Sequence, residues 1–305
     1  MATFFFKTLV ITISCIIIWR QFVNKLIKIL VTSQKGGVGK STISANLAAY
    51  FSSVVSKKTC LVDFDHQATS GQWVKKATPL GIKCRTVDLP NSRGSGITLL
   101  TAKEFIRKTE AGSDVLVSDL TWTDVLPPEF LFGFNLILVP SSLSRVELNS
   151  TLEFVNRFSY IFNSKMRKPP KLVIVPSRVD NLNTYHKIFS NSFSSGFFLS
   201  PPVLYSPDAH EYFCKEFFIF SKNNKIKENF NAFGKSILDL AVYEQNTVPK
   251  NKHETLTKKV SGSILDRFRA IRNSTPNQEV RKAANEEIVE KKEKSKSSIP
   301  FFLRR

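Results

Sequence analysis

The chain has 305 residues, 42% of them hydrophobic and 23% charged, which is ordinary for a soluble globular protein and leaves room for one large domain or two. Its 44 Lys and Arg against 25 Asp and Glu give a formal net charge of +19, an excess suited to polyanionic partners, although the frequent Phe, Lys and Asn are also what a biased genome would produce. Four cysteines, Cys15, Cys60, Cys84 and Cys214, lie far apart with no C-x-x-C pair, so neither a zinc site nor a disulfide framework is indicated, and a reducing cytoplasm fits.

Residues 1–27 open with an uncharged, mostly apolar run from Thr8 to Trp19, bounded by Lys7 and Arg20. That run is shorter than the roughly 20 residues a bilayer takes. Counted from Ala2 with Lys7 snorkelling it comes close, and Arg20, Lys25 and Lys28 would then hold the rest of the chain on the cytoplasmic side. No small-residue cleavage signature follows. Three readings stay open: an extension without a role from a start placed too early, a membrane anchor, or a segment packed on the core.

The stretch Lys28 to Ser44, KILVTSQKGGVGKSTIS, organises the chain. Ile29, Leu30 and Val31 predict a buried strand, glycines then break the pattern, and helical spacing resumes from Ser41 through Ile43, Leu47, Ala48 and Phe51. Against the template G-x-x-x-x-G-K-[ST], Gln34 takes the first glycine position. Triphosphate oxygens must meet backbone N–H groups at close range, which glycines permit, and a helix N-terminus adds a favourable dipole. The expected nucleotide contacts are therefore Lys35, Gly36, Gly37, Val38, Gly39, Lys40, Ser41 and Thr42, with Lys40 as the cation for the β- and γ-phosphates and Ser41 as a hydroxyl ligand for Mg²⁺.

K-G-G-V-G-K-S-T, with Lys35 ahead of the glycines, resembles the deviant Walker A motif of the ParA/MinD family of dimerising ATPases. The resemblance implies an α/β fold with a mostly parallel central sheet flanked by helices, ATP and Mg²⁺ as cofactors, and a homodimer formed on ATP binding. It also implies a catalytic role for Lys35, reaching across the dimer to the partner's phosphates.

Further along, Cys60, Leu61 and Val62 predict a strand that ends in Asp63 and Asp65, two residues apart and so on one side of an extended chain. Carboxylates at strand ends sit where α/β sheets bind ligands. The D-x-D-x-Q segment resembles the D-x-D-P-Q of the family. The match makes Asp65 the residue that positions the attacking water, Asp63 a support of the metal shell, and Gln67 part of a dimer-facing switch. His66 stands for the usual proline, so a less rigid loop is expected. Ile82, Cys84 and Thr86 predict a strand, and a helix follows from about Leu99 to Thr109. Val115 to Val117 then lead to Asp119, in the position of the family's Walker B aspartate and expected as an outer-sphere Mg²⁺ ligand. Relatives often continue Thr-Pro-Pro; here Leu120-Thr121-Trp122 follows, which leaves switching and hydrolysis rate open.

Leu136–Pro140 and Leu172–Pro176 predict buried strands, each stopped by proline, with a helix from about Arg145 to Phe162 between them. Pro176 to Asp180 resembles the family's base-contacting loop, which makes Ser177 and Arg178 candidates for the adenine pocket; Ser206-Pro207-Asp208 is a second candidate, and either can equally be an ordinary loop. The last predicted helix runs near Lys227 to Val242 on Phe230, Phe233, Ile237, Leu238 and Leu240. The ATPase domain is thus expected over residues 28–246. Residues 247–305 read as a basic, disordered tail with apolar islands at 263–271 and 299–305.

Basic residues cluster at Lys165, Arg167, Lys168 and Lys171, and again at Lys222, Lys225 and Lys227, as sequence-independent phosphate contact requires. Together with Trp73 shortly after the carboxylates and no preceding helix-turn-helix, the pattern is most similar to the smaller plasmid-type ParA partition proteins. That resemblance implies ATP-dependent non-specific DNA binding on the nucleoid and release by a centromere-bound ParB-like partner. The alternative is a membrane-cycling, MinD-like positioning ATPase held through residues 2–19 or 299–305. A nitrogenase-reductase-like iron–sulfur ATPase is disfavoured, since two suitably placed cysteines are not apparent.

Overall fold

In the computed structural model, residues 26–89, 95–180, 185, 188–189, 197–207 and 209–246 are described. Most of the apolar extension, Asp208, and the tail with both of its apolar islands lie outside them.

Short apolar runs become strands, and the helical periods between them become crossovers. The order is β1 (Ile27–Ser33), α1 (Lys40–Ala49), β2 (Thr59–Asp63), α2 (Thr69–Lys76), β3 (Lys83–Thr86), α3 (Ser95–Glu110), β4 (Val115–Thr121), β5 (Leu136–Ser141), α4 (Arg145–Arg157), α5 (Ser159–Phe162), β6 (Lys171–Val179), β7 (Phe198–Leu199), β8 (Val203–Leu204), α6 (Ala209–Tyr212) and α7 (Asn224–Asn246). The sheet runs β3-β2-β4-β1-β5-β6-β7, with β8 also on β6, and each of these pairings is parallel. Helices cover both faces, which explains why the inner strands read as unbroken apolar runs without alternation.

Alternate residues of each strand feed two cores. Ile29, Val31, Val117, Leu138 and Val173 pack under α1 and α7 with Trp73 and Phe217. Leu30, Leu116, Ile137 and Ile174 pack with Ile106, Phe130, Phe154 and Phe158 on the other face. Gly234 is what lets α7 lie on the first layer, because a Cβ there would sit 2.6 Å from the ring of Tyr50.

The structure corrects three boundaries. β6 does not stop at Pro176 but continues to Val179, because the ladder with β5 ends at Ser141 and Pro176 and the strand then pairs Ser177 and Val179 with Val203 and Leu204. A residue without an N–H is tolerated where the partner changes. The helix expected over 145–162 breaks at Phe158, whose φ of −105° and ψ of 14° leave the helical region. The last helix extends past both expected ends, to Asn224 and Asn246.

Candidate nucleotide site

Because the strands are parallel, their C-terminal ends converge. Register sets Val31 beside Asp119 and Asp63 beside Asp119, so the loop after β1, the carboxylates after β2 and the carboxylate on β4 meet on one rim. All the expected phosphate-loop residues lie in the segment that joins β1 to α1 and in that helix's first turn. Gly37 and Gly39 have φ of 74° and 91°, a left-handed backbone that a side chain would strain. The loop is tied down at both ends: Ser33 Oγ donates to the Lys35 carbonyl (2.7 Å), and Ser177 Oγ, buried, donates to the Val38 carbonyl (2.8 Å). Lys40 is buried under the loop, whereas Lys35 stands exposed on it.

The three carboxylates have different surroundings. Asp63 is fully buried and acts as a fastener: one oxygen accepts the Asp65 N–H (3.0 Å), the other the Ser70 hydroxyl (2.7 Å) and the Gly71 N–H (2.8 Å). Gly71 leaves room there, since a Cβ would meet Thr86 Cγ2 at 2.4 Å and push that side chain aside. Asp65 is half-buried and held at both oxygens by one residue, the Thr121 N–H at 2.7 Å and the Thr121 hydroxyl at 2.9 Å. Asp119 is fully buried, and its oxygens have no well-formed hydrogen bond, only the Ser41 hydroxyl alongside. Burial first, then the charges of Asp63 and Asp65, push its carboxyl up to about 7, with Ser41 and Lys40 acting in the opposite direction.

An orphaned carboxylate beside the Ser41 hydroxyl fits a hard divalent cation, which prefers oxygen ligands and keeps several waters and phosphate oxygens in its shell. Among the described residues no group of three or more His, Cys, Asp or Glu is gathered to hold a metal by itself, so Ser41, phosphate oxygens and water would have to complete the shell of a cation at Asp119.

The raised Asp119 value carries a pH dependence of its own. Between the ordinary carboxylate value of 3.8 and about 7 the folded chain keeps a proton that the unfolded chain has lost, so stability falls as pH rises through that window. The span is worth a few kcal/mol at roughly 1.4 kcal/mol per pH unit. Asp119→Asn is therefore expected to raise the melting temperature of the nucleotide-free protein at pH 8 and to change it little at pH 4. Equal shifts at both pH values in thermal melts would show that Asp119 is not the group responsible.

His66 does occupy the expected proline position, and it pairs with Asp88 at the surface (3.0 Å). Around it, Asp63 and Asp65 hold the loop through the contacts above, and Ala68 completes a left-handed turn at φ 48°. Of the adenine candidates, Ser177 touches the phosphate loop, while Arg178, at φ 53°, pairs with Glu147. Burial tends to raise the Glu147 carboxyl, but Arg178 and Ser142 together hold it below the usual range.

The basic cluster lies far from this rim. Lys171 begins β6 and so marks the opposite end of the sheet; Lys168 donates to the Glu244 carbonyl (2.7 Å), Lys171 approaches the Glu244 carboxylate (3.6 Å), and Arg167 lies over the Phe132 ring (5.6 Å). Lys165 is exposed. Two contributors escaped the sequence reading, Thr121 and Ser70. For Thr121 a signal existed, because it lies two residues after Asp119 on the same strand and so shares its face. Among the described residues no helix is long and apolar enough to cross a membrane.

Residues 29–285 match the CobQ/CobB/MinD/ParA nucleotide binding domain. Sporulation initiation inhibitor protein Soj of Bacillus subtilis (strain 168) is 34% identical over 137 residues, 44% of this chain and 47% of Soj, so the chain spans about half the length of this curated relative. The fold is shared with the ATP complex of a McdA variant from Cyanothece (TM-score 0.55, 14% identity, 70% of this chain and 96% of that one). It is shared too with the septum site-determining protein MinD of Pyrococcus horikoshii in complex with Mg-ADP (TM-score 0.54, 12% identity, 72% and 99%). With a glycine loop on buried Lys40, the carboxylates of β2 and β4 on the same rim, and a family match over most of its length, this chain belongs to the CobQ/CobB/MinD/ParA family of nucleotide-binding domains.

Proposed function

We propose that this chain is a Mg²⁺-dependent ATPase of the partition type, which dimerises on ATP, binds DNA without sequence preference on the nucleoid, and is released when a ParB-like partner stimulates hydrolysis. The observation that carries the ATPase reading is the buried Asp119 carboxylate beside Ser41 and Lys40, a place prepared for a cation and a triphosphate. In this reading the backbone of Lys35 to Thr42 cradles the phosphates, Lys40 neutralises β- and γ-oxygens, and Ser41 and Asp119 hold Mg²⁺, with Asp63 supporting the metal side by fixing the loop that carries Asp65. Bound Mg²⁺ would neutralise charge developing on the phosphate oxygens. Asp65 orients the water, and exposed Lys35 is free to reach a second subunit. Ser177 and Arg178 remain the candidates for the adenine side.

The DNA part rests on the net charge of +19 and on Lys165, Arg167, Lys168 and Lys171 at the end of the sheet away from the phosphate loop, where a surface can be contacted without blocking the nucleotide. The test is binding of the full chain to duplex DNA of arbitrary sequence with and without ATP. Binding is expected only with ATP, because a dimer joins two weak sites into one adequate one, and it should fall steeply with salt, each neutralised phosphate contributing about −0.9 to the log–log slope. Reversing the charges of Lys165 and Arg167 together should flatten that slope and leave ATP turnover intact. A chain that ignores DNA but pellets with anionic liposomes in ATP overturns the partition reading in favour of MinD-like membrane cycling.

A further inference from the structure

We propose that Thr121 is a positioning residue that holds the carboxylate of Asp65 in its working orientation by a two-point clamp; this rests on the ATPase reading above. The contact is complete at Asp65: the Thr121 N–H (2.7 Å) serves one oxygen and the Thr121 hydroxyl (2.9 Å) the other, across 56 residues of chain. A carboxylate gripped at both oxygens loses much of its rotation about the side-chain bonds, while each oxygen keeps a lone pair for water.

The clamp is itself held from behind. Thr121 pairs with Ser33 in the β1–β4 ladder, and the next N–H, that of Trp122, donates to the Ser33 carbonyl (3.0 Å). Strand alternation sends Leu120 and Trp122 to the other face, where both are buried and Trp122 meets Phe154 and Phe158 edge-on at 5.9 and 5.0 Å. Ser33 also anchors the phosphate loop through the Lys35 carbonyl. Phosphate loop, clamp and Asp65 are thereby referred to one rigid strand end. A proline at position 121 would have no N–H and no hydroxyl, so neither contact would survive.

Three variants of the full chain test this. Thr121→Val keeps shape and N–H but removes the hydroxyl; it should lower kcat on the order of tenfold, the scale of one hydrogen bond to a charged group, with KM for ATP unchanged. Thr121→Ser should restore kcat. In an Asp65→Ala background Thr121→Val should cause no further loss, as expected of a residue that acts through Asp65. Amide hydrogen exchange gives a readout that does not depend on turnover: Thr121→Val should speed exchange at Asp65 to Ala68 and leave α1 unchanged. Wild-type kcat in Thr121→Val, an additive loss in the Asp65→Ala background, or unaltered exchange at Asp65 to Ala68 overturns the clamp. A wild-type chain that binds ATP but never hydrolyses it, with exchange responding as described, overturns instead the ATPase reading and with it the working role of the clamp.

Discussion

Lys40→Ala is expected to abolish ATP binding at ordinary concentrations. The ammonium is buried beneath the loop, where its charge meets little solvent, and it lies close enough to Asp119 to pull that carboxyl downward. Truncating one partner of a desolvated charged contact costs about 2–5 kcal/mol, which is roughly 30-fold to several thousandfold in Kd at about 1.4 kcal/mol per factor of ten. Lys35→Ala is the contrasting variant. Its side chain is exposed on the same loop, so the monomer should keep its affinity while ATP-dependent dimerisation is lost. Calorimetric titration of ATP into each variant, with sedimentation in ATP, separates the two lysines. A Lys40→Ala chain that folds normally and still binds ATP tightly would remove this lysine from the site. Full dimerisation of Lys35→Ala would end the cross-subunit assignment.

Asp65→Ala is expected to bind ATP and Mg²⁺ normally, accumulate as an ATP-locked dimer and turn over about 100-fold more slowly or less, the scale lost with a positioned proton acceptor or water-orienting group. The loop should survive the change, because Asp63 still grips the Ser70 hydroxyl and the Gly71 N–H without help from the Asp65 side chain. Single-turnover hydrolysis measured beside nucleotide affinity checks this. Normal hydrolysis in Asp65→Ala would move the role to another group. Reduced ATP affinity with unchanged single-turnover rate would make Asp65 a binding residue.

The sequence by itself determined the α/β class, six of the strands to within a few residues, and the place of the glycine loop between β1 and α1. Those features are written in windows of about twenty residues: apolar runs for buried strands, 3.6-residue spacing for helices, glycines where the backbone must turn left-handed, and two carboxylates at one strand end. Proline misled at Pro176, because a missing N–H stops a strand only if that residue must donate to a neighbour, and at this point β6 exchanges β5 for β8. Tertiary structure alone decided what surrounds each carboxylate. Each of Asp63, Asp65 and Asp119 follows an apolar run, yet the fold satisfies Asp63 with its own loop, gives Asp65 to Thr121, and leaves Asp119 buried with only the Ser41 hydroxyl alongside. The phosphate loop likewise depends on Ser177, 139 residues from Val38. Such contacts are set by strand order and register, and bringing β4 between β1 and β2 is a property of the whole sheet that no local pattern encodes.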